Sequence, residues 1–135
     1  MPPSLAVKRI LLALALFLPT AALADPCTAP LPPPGASFSG TVRYVGDGDS
    51  ICVGNSGNAS TWIEVRVSDF YAPELHTSAG PKAKAAMERI AMGRTVQCTA
   101  GRRSYDRVVA QCRLNGTSLG DLMRRQGVPE GGRGR

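Results

Sequence analysis

Charged residues occur in three short segments of this chain, in combinations that could bind a metal ion or a phosphate group. In the first segment, Asp47 and Asp49 flank Gly48. Two acids separated by a single glycine, whose backbone can adopt many conformations, can present oxygen ligands to a hard cation. The same residue types also favour an ordinary hairpin turn, so this segment alone does not predict a metal site.

The second and third segments add two arginines, a carboxylate and an aromatic side chain. Arg66 lies in an apolar stretch, and Glu74 ends an Ala-Pro-Glu triplet. Tyr105 and Arg107 flank Asp106 further along the chain. The planar fork of an arginine binds two phosphate oxygens at once, which a lysine cannot do. Each segment alone is typical of a solvated surface, and only their combination points to a site.

The amino-terminal residues have the pattern of a secretory signal peptide. Lys8 and Arg9 precede an apolar run over residues 10–18, and Ala22 and Ala24 are the small residues that a signal peptidase needs. The run is shorter than the ~20 apolar residues of a membrane-spanning helix. We therefore expect residues 1–24 to be removed, leaving a secreted or periplasmic protein that is not bound to a membrane.

Composition favours one small globular domain. The chain has 135 residues, of which 43% are hydrophobic and 19% charged, and this length excludes a TIM barrel or a two-domain Rossmann enzyme. Loss of Lys8 and Arg9 with the signal peptide lowers the formal net charge from +6 to +4. That modest positive charge is compatible with a polyanionic partner. We expect the protein to be a monomer.

The pattern of apolar residues predicts five strands and two helices. The predicted strands cover residues 41–45, 50–53, 62–67, 95–99 and 107–113. One helix is predicted over residues 83–92 between Pro81 and Gly93, and another begins after the capping residue Ser118 and ends at Gly127. A proline-rich leader over residues 25–37 precedes this domain of residues 38–128, and residues 129–135 form a basic flexible tail.

This order of elements predicts a fold that is mainly β. Three consecutive strands, a helix, two strands and a second helix fit a five-stranded Greek-key barrel of the OB type. One helix then lies between strands 3 and 4, and the other follows strand 5. Barrels of this type present a face to nucleic acids or sugars, although the fold alone does not decide the function.

Four cysteines in the exported part predict two disulfides. Cys98 and Cys112 flank one turn almost symmetrically, so antiparallel strands would place them opposite each other. Cys27 in the leader is then left to pair with Cys52. We favour the pairing Cys98–Cys112 with Cys27–Cys52, while the other two connectivities stay open at this level.

Together, the charged segments resemble the staphylococcal nuclease (thermonuclease) family. The matching motifs are G-T-V-x-x-V-x-D-G-D-S over residues 40–50, V-R-V followed by A-P-E over residues 65–74, and R-V-V-A over residues 107–110. The resemblance extends from Phe38 to Gly127. It implies an enzyme that hydrolyses phosphodiester bonds in DNA or RNA with a divalent cation, and Ca²⁺ is the cation that the family uses.

The resemblance also implies a role for each matching residue. Arg66 and Arg107 would bind the scissile phosphate, and Glu74 would be the general base. Asp49 and the main-chain carbonyl of Ala72 would be metal ligands, with Asp47 near the metal. Tyr105 would lie beside the nucleotide.

One position departs from the family pattern. Tyr71 stands where the family has a second calcium-binding aspartate. A neutral phenol is a poor ligand for a hard cation, so we expect Ca²⁺ to bind weakly. The alternative interpretation is a nucleic-acid-binding OB module that is not catalytic and whose metal site has decayed. The retention of Glu74 favours the enzyme, because a carboxylate beside a bound phosphate weakens binding.

Overall fold

The computed structural model of the protein describes residues 25–131. The expected signal peptide, residues 1–24, lies outside this range, as do residues 132–135 of the expected tail. Between residues 25 and 131 no helix is long and apolar enough to cross a membrane.

Six strands and two α-helices follow the predicted order, with two short additions. The strands are β1 (Ser37–Asp47), β2 (Ser50–Gly54), β3 (Ile63–Val67), β4 (Thr95–Ser104), β5 (Arg107–Leu114) and β6 (Thr117–Ser118). The helices are α1 (Gly80–Ala91) and α2 (Leu119–Arg125). The additions are the two-residue strand β6 and a 3₁₀ turn, Ala59–Thr61.

Strands β1 to β5 close into a barrel, which confirms the predicted OB-like fold. Strand β1 pairs with β2 and with β4, β2 pairs with β3, and β4 pairs with β5, all antiparallel. The closing contact is parallel and joins β3 to β5, with Val65 opposite Val108. Closure removes the exposed edges of the sheet. It also places the outer faces of β2, β3 and β5 side by side.

The core fills the barrel and the space beneath α1. Along β4, buried residues alternate with exposed ones, as expected of a strand with one face on the core. The helix buries Ala83, Met87 and Ala91, and Ile90 is partly buried against the same cluster. Gly93, which follows the helix, has a φ of +76°, a left-handed conformation that suits glycine and ends the helix as predicted.

Both predicted disulfides are present. Cys98 on β4 and Cys112 on β5 are directly opposite each other in the sheet and are bonded. Cys27 is bonded to Cys52 on β2 and attaches the leader to the barrel. Two disulfides indicate an oxidising environment.

The leader is hydrogen-bonded along the barrel surface. The backbone N–H groups of Thr28 and Ala29 donate to the carbonyls of Ala59 and Trp62. At its other end, Gly35 donates to the carbonyl of Ala100. These bonds and the Cys27–Cys52 disulfide hold the extended leader on the barrel, although residues 25–36 form no regular element.

Candidate active site

The turn between β1 and β2 presents two aspartates. Its two central residues are Gly48 and Asp49, and the backbone N–H of Asp49 donates to Oδ1 of Asp47 over 3.0 Å. A Cβ on Gly48 would lie 2.8 Å from the Cβ atoms of both Ala72 and Ala83. Only glycine therefore allows the turn to press against the loop before α1 and against α1 itself.

Asp49 is buried at this contact, with 7% of its surface exposed. Its Oδ2 accepts a hydrogen bond from the N–H of Ala72 over 3.1 Å. Burial raises the pKa of Asp49 to about 7, and the hydrogen bond and negative charge of Asp47 act in the same direction. The Ala72 N–H and the positive charge of Arg66 oppose that shift but are weaker. A cation bound here would favour the ionised form.

Two arginines lie on the outer faces of neighbouring strands. The Arg66 guanidinium lies 5.2 Å from the ring centroid of Tyr71, a distance typical of a cation–π contact. The Nη1 atom of Arg107 donates to Oγ of Ser50, which is buried, over 3.2 Å. Each guanidinium is thus oriented by a neighbour that is not a carboxylate, which leaves donors available for an anion.

The backbone of the loop after β3 holds Glu74 in place. The Glu74 carbonyl accepts hydrogen bonds from both the N–H and the hydroxyl of Thr77, over 2.9 and 2.6 Å. A Cβ on Gly80 would overlap this same carbonyl oxygen, so the loop can approach the start of α1 because residue 80 is glycine. The Glu74 side chain remains exposed.

These elements bring the predicted catalytic and metal-binding residues to one small cavity of about 120 Å³. Its lining consists of Asp47, Asp49, Arg66, Tyr71, Ala72, Glu74 and Arg107. A larger depression of about 510 Å³ lies between α1 and residues 126–129. Among the described residues, its wall includes Lys82 and Arg89 but no carboxylate. Of these two cavities, the small one is therefore where carboxylates and guanidinium groups meet.

Tyr105 is the one predicted site residue that does not line this cavity. It lies at the turn between β4 and β5, two residues before Arg107, with 93% of its surface exposed. Its φ of +57° is unusual for a residue with a bulky side chain. The turn thus holds an aromatic ring in solvent, two residues from Arg107 on the cavity wall.

Three residues near the site were not predicted from the sequence. Glu64 lies on the outer face of β3, two positions before Arg66, and the period of a strand could have indicated this shared face. Ser50 follows the aspartate turn and binds Arg107. Asp25 reaches the site from the leader, and only the disulfide of Cys27 gives a hint of that placement.

The donors around the cavity suit a hard cation, although they are few. Asp49 and Asp47 provide carboxylate oxygens, and Ala72 lines the same cavity. In the described part of the chain, no three His, Cys, Asp or Glu side chains form a group that could hold a metal. Ca²⁺ usually has about six to eight oxygen ligands. An ion here would therefore need main-chain carbonyls and water molecules for most of them.

No family model matches the chain, and a search of the curated proteins finds no significant match.

Buried carboxyl groups make the stability depend on pH. The pKa values of Asp25, Asp49 and Glu64 are all raised, mainly by burial. The folded state therefore binds more protons than the unfolded state from the ordinary carboxyl pKa values up to the raised ones, which are about 7 for Asp49 and Glu64, so its stability falls as the pH rises through that range. We expect the melting temperature to be at least ~5 °C higher near pH 5 than near pH 8.

Thermal melts followed by circular dichroism measure this difference. In Glu64→Gln, which cannot ionise at residue 64, the decline should be smaller. A melting temperature that rises from pH 5 to pH 8 would contradict the raised pKa values of these carboxyl groups.

Proposed function

We propose that the protein hydrolyses phosphodiester bonds in DNA or RNA with the help of a divalent cation, Ca²⁺ in the first instance. The observation that carries this proposal is the convergence of Arg66, Arg107 and Glu74 on one cavity beside the aspartate turn. The motif resemblance to the staphylococcal nuclease family supports it independently of the fold.

The two arginines fit the charge that develops during hydrolysis. Attack on a phosphodiester increases the negative charge on the phosphoryl oxygens in the transition state. Arg66 and Arg107 lie on different strands and can approach a phosphate from two directions. Because Tyr71 and Ser50 orient these guanidinium groups beforehand, little reorganisation is needed when the charge appears.

Glu74 fits the role of a general base. Its carboxylate is exposed beside the cavity and can accept a proton from a water molecule that attacks phosphorus. A module that only bound nucleic acid would lose affinity through this negative charge. The presence of Glu74 on the cavity wall therefore favours hydrolysis over binding alone.

The cation would be held by Asp49 and the Ala72 carbonyl, with Asp47 nearby. A bound Ca²⁺ would supply further positive charge to the phosphoryl oxygens. Asp47 and Asp49 each have one carboxylate oxygen engaged by a backbone N–H, so one oxygen of each remains available to a cation. Since Tyr71 contributes a ring rather than a carboxylate, the affinity should be weak, in the range of ~10⁻⁴–10⁻³ M.

A non-catalytic nucleic-acid-binding module is the second candidate function. Tyr71 favours it, because an aromatic ring in contact with Arg66 stands where the resemblance to the nuclease family implies a metal-binding aspartate. The exposed Tyr105 could stack on a base in either function.

The proposed setting is outside the cytosol. The two disulfides support an oxidising compartment, and cleavage of a signal peptide at residue 24 would deliver the chain there as a monomer. Ca²⁺ is also more abundant outside the cytosol, which suits a weak site.

A nuclease assay on the purified, oxidised protein tests the proposed function. We expect cleavage of single-stranded DNA or RNA to increase as the Ca²⁺ concentration is raised to about the millimolar range. Cleavage should stop when a chelator is added. Nucleic-acid binding without cleavage at any Ca²⁺ concentration would support the non-catalytic module instead.

The variant Tyr71→Asp, assayed in the same titration, tests the explanation for weak binding. An added carboxylate should lower the Ca²⁺ concentration for half-maximal activity by about tenfold or more. Tyr44→Phe, on β1 outside the cavity lining, controls for tyrosine replacement. Tight Ca²⁺ binding by the unmodified protein in calorimetry would show that another residue replaces the missing acid.

A further inference from the structure

Glu64 lies next to Arg107 on the outer surface of the barrel. Strands β3 and β5 are parallel with Val65 opposite Val108, so the preceding residues, Glu64 and Arg107, are also neighbours. Val65 and Val108 are buried in the core, which turns Glu64 and Arg107 to the other face of the sheet. Glu64 is nevertheless buried, with only 7% of its surface exposed, because another part of the chain covers it.

The covering residue is Asp25 at the start of the leader. Glu64 is opposite Cys52 in the β2–β3 pairing, and Cys52 is bonded to Cys27. The disulfide therefore brings Asp25 over this face, where its carboxyl lies beside the carboxyl of Glu64. Asp25 also packs closely on Gly46, where a Cβ would lie 2.6 Å from Oδ1 of Asp25.

Two buried carboxyl groups side by side favour sharing one proton, because two carboxylates would repel each other and have only acceptors. Burial raises the pKa of Glu64 to about 7, and the negative charges of Asp106 and Asp25 act in the same direction. The pKa of Asp25 is also raised, mainly by burial, with Asp47 contributing. Arg107 is the cation that opposes both shifts. Asp47, Asp106 and Arg107 are thus the charged groups that act on the Asp25–Glu64 pair.

Arg107 is close enough to interact electrostatically with this pair but does not form an ion pair with it in the described part of the chain. The two ion pairs within 4.0 Å in the described residues both involve Arg124. The Arg107 guanidinium instead donates to Ser50 and lines the small cavity. A pair that shares one proton carries a single negative charge, and loss of the proton would double the attraction on Arg107.

We propose that the Asp25–Glu64 carboxyl pair is a positioning element for Arg107, which leaves the guanidinium available to the substrate phosphate while the two acids share a proton. This inference rests on the proposed phosphate-binding role of Arg107. When the proton leaves, the doubly charged pair attracts Arg107 and repels the phosphate. Phosphate affinity therefore weakens as the pair ionises.

Binding of a single-stranded oligonucleotide in the presence of a chelator tests the proposal without catalysis. Dissociation constants are measured near pH 6 and near pH 8, on either side of the raised pKa. We expect the loss of affinity across this range to be about tenfold smaller in Glu64→Gln than in the unmodified protein, the effect of one unit charge a few ångströms away. Asp25→Asn should behave in the same way and provides a second variant if Glu64→Gln does not fold.

The matched control is Glu88→Gln on the exposed side of α1, which should keep the full pH dependence. Equal pH dependence in all four proteins would overturn the proposal. A second arm measures hydrolysis with Ca²⁺, in which Glu64→Gln should flatten the pH profile of kcat/KM, because Arg107 binds the phosphate in both the ground state and the transition state. If the oligonucleotide binds as expected but is never cleaved, the nuclease function is wrong while the positioning of Arg107 stands.

Discussion

Glu74→Gln is expected to lower the turnover number by about 10²–10⁴-fold while leaving the fold intact, because it removes the proposed general base. The exposed side chain and the backbone-anchored loop make a structural effect small. The same substitution removes a negative charge from the wall of the cavity. Oligonucleotide binding should therefore stay equal or become tighter even though hydrolysis is lost, a combination that misfolding cannot produce.

Single-turnover cleavage and binding measurements on the same samples check both halves of this expectation. Glu88→Gln makes the identical chemical change on the outer side of α1 and should cleave normally. Arg107→Ala should also reduce turnover by orders of magnitude, with Arg94→Ala as its control on an exposed residue away from the cavity. If Glu74→Gln and Arg107→Ala both retain full activity, the assignment of this cavity is wrong.

Removing the disulfide between the leader and β2 is expected to cause the largest loss of stability. The loop that Cys27 and Cys52 close spans 25 residues, and its closure restricts the unfolded chain by ~3 kcal/mol. For a domain of this size, the double variant Cys27→Ala with Cys52→Ala should melt more than about 10 °C lower than the unmodified protein.

The second disulfide offers a matched comparison. Cys98→Ala with Cys112→Ala opens a shorter loop, with a separation of 14, between strands that remain paired along β4 and β5. Its destabilisation should be similar or slightly smaller, and it should leave the pH dependence of oligonucleotide binding unchanged. The leader variant should show a smaller pH dependence, because Asp25 is then no longer tethered over Glu64, although Asp49 still lines the cavity. A leader variant that melts at the normal temperature would show that the backbone bonds of Thr28 and Ala29 suffice to hold the leader.

Most of the barrel could be predicted because each strand carries its own pattern. The alternation along residues 95–99 and 107–113 and the glycine-aspartate turn are local signals. The length of β4 was not predictable in this way, because Gly101, Arg102 and Arg103 lack an apolar alternation. They continue the strand through an irregularity in the pairing with β5. The two residues of β6 are likewise too few to form a pattern.

The candidate site could likewise be predicted only in part from the sequence. Asp49, Arg66, Glu74 and Arg107 could be predicted because their types and spacing form motifs, and the structure brings them to one cavity. Their supporting contacts depend on tertiary structure that no local pattern encodes. Asp25 reaches Glu64 only through the path of the leader.

The contacts of the first residues of the expected tail could also not be predicted from the sequence. Glu130 accepts a hydrogen bond from the N–H of Tyr71, and the N–H of Gly131 donates to the Tyr71 carbonyl. These contacts join residues that are far apart in the chain, and a composition rich in glycine and arginine does not predict them.

The order of the cysteines along the chain has a consequence for biosynthesis. Each disulfide joins neighbours in the cysteine sequence, Cys27 with Cys52 and Cys98 with Cys112. In a chain that enters an oxidising compartment amino terminus first, Cys52 is the first partner that Cys27 meets. That pair can close before Cys98 emerges, and the last two cysteines then have only each other. Oxidation in order of emergence would therefore give the native pairing directly, without correction by a disulfide isomerase.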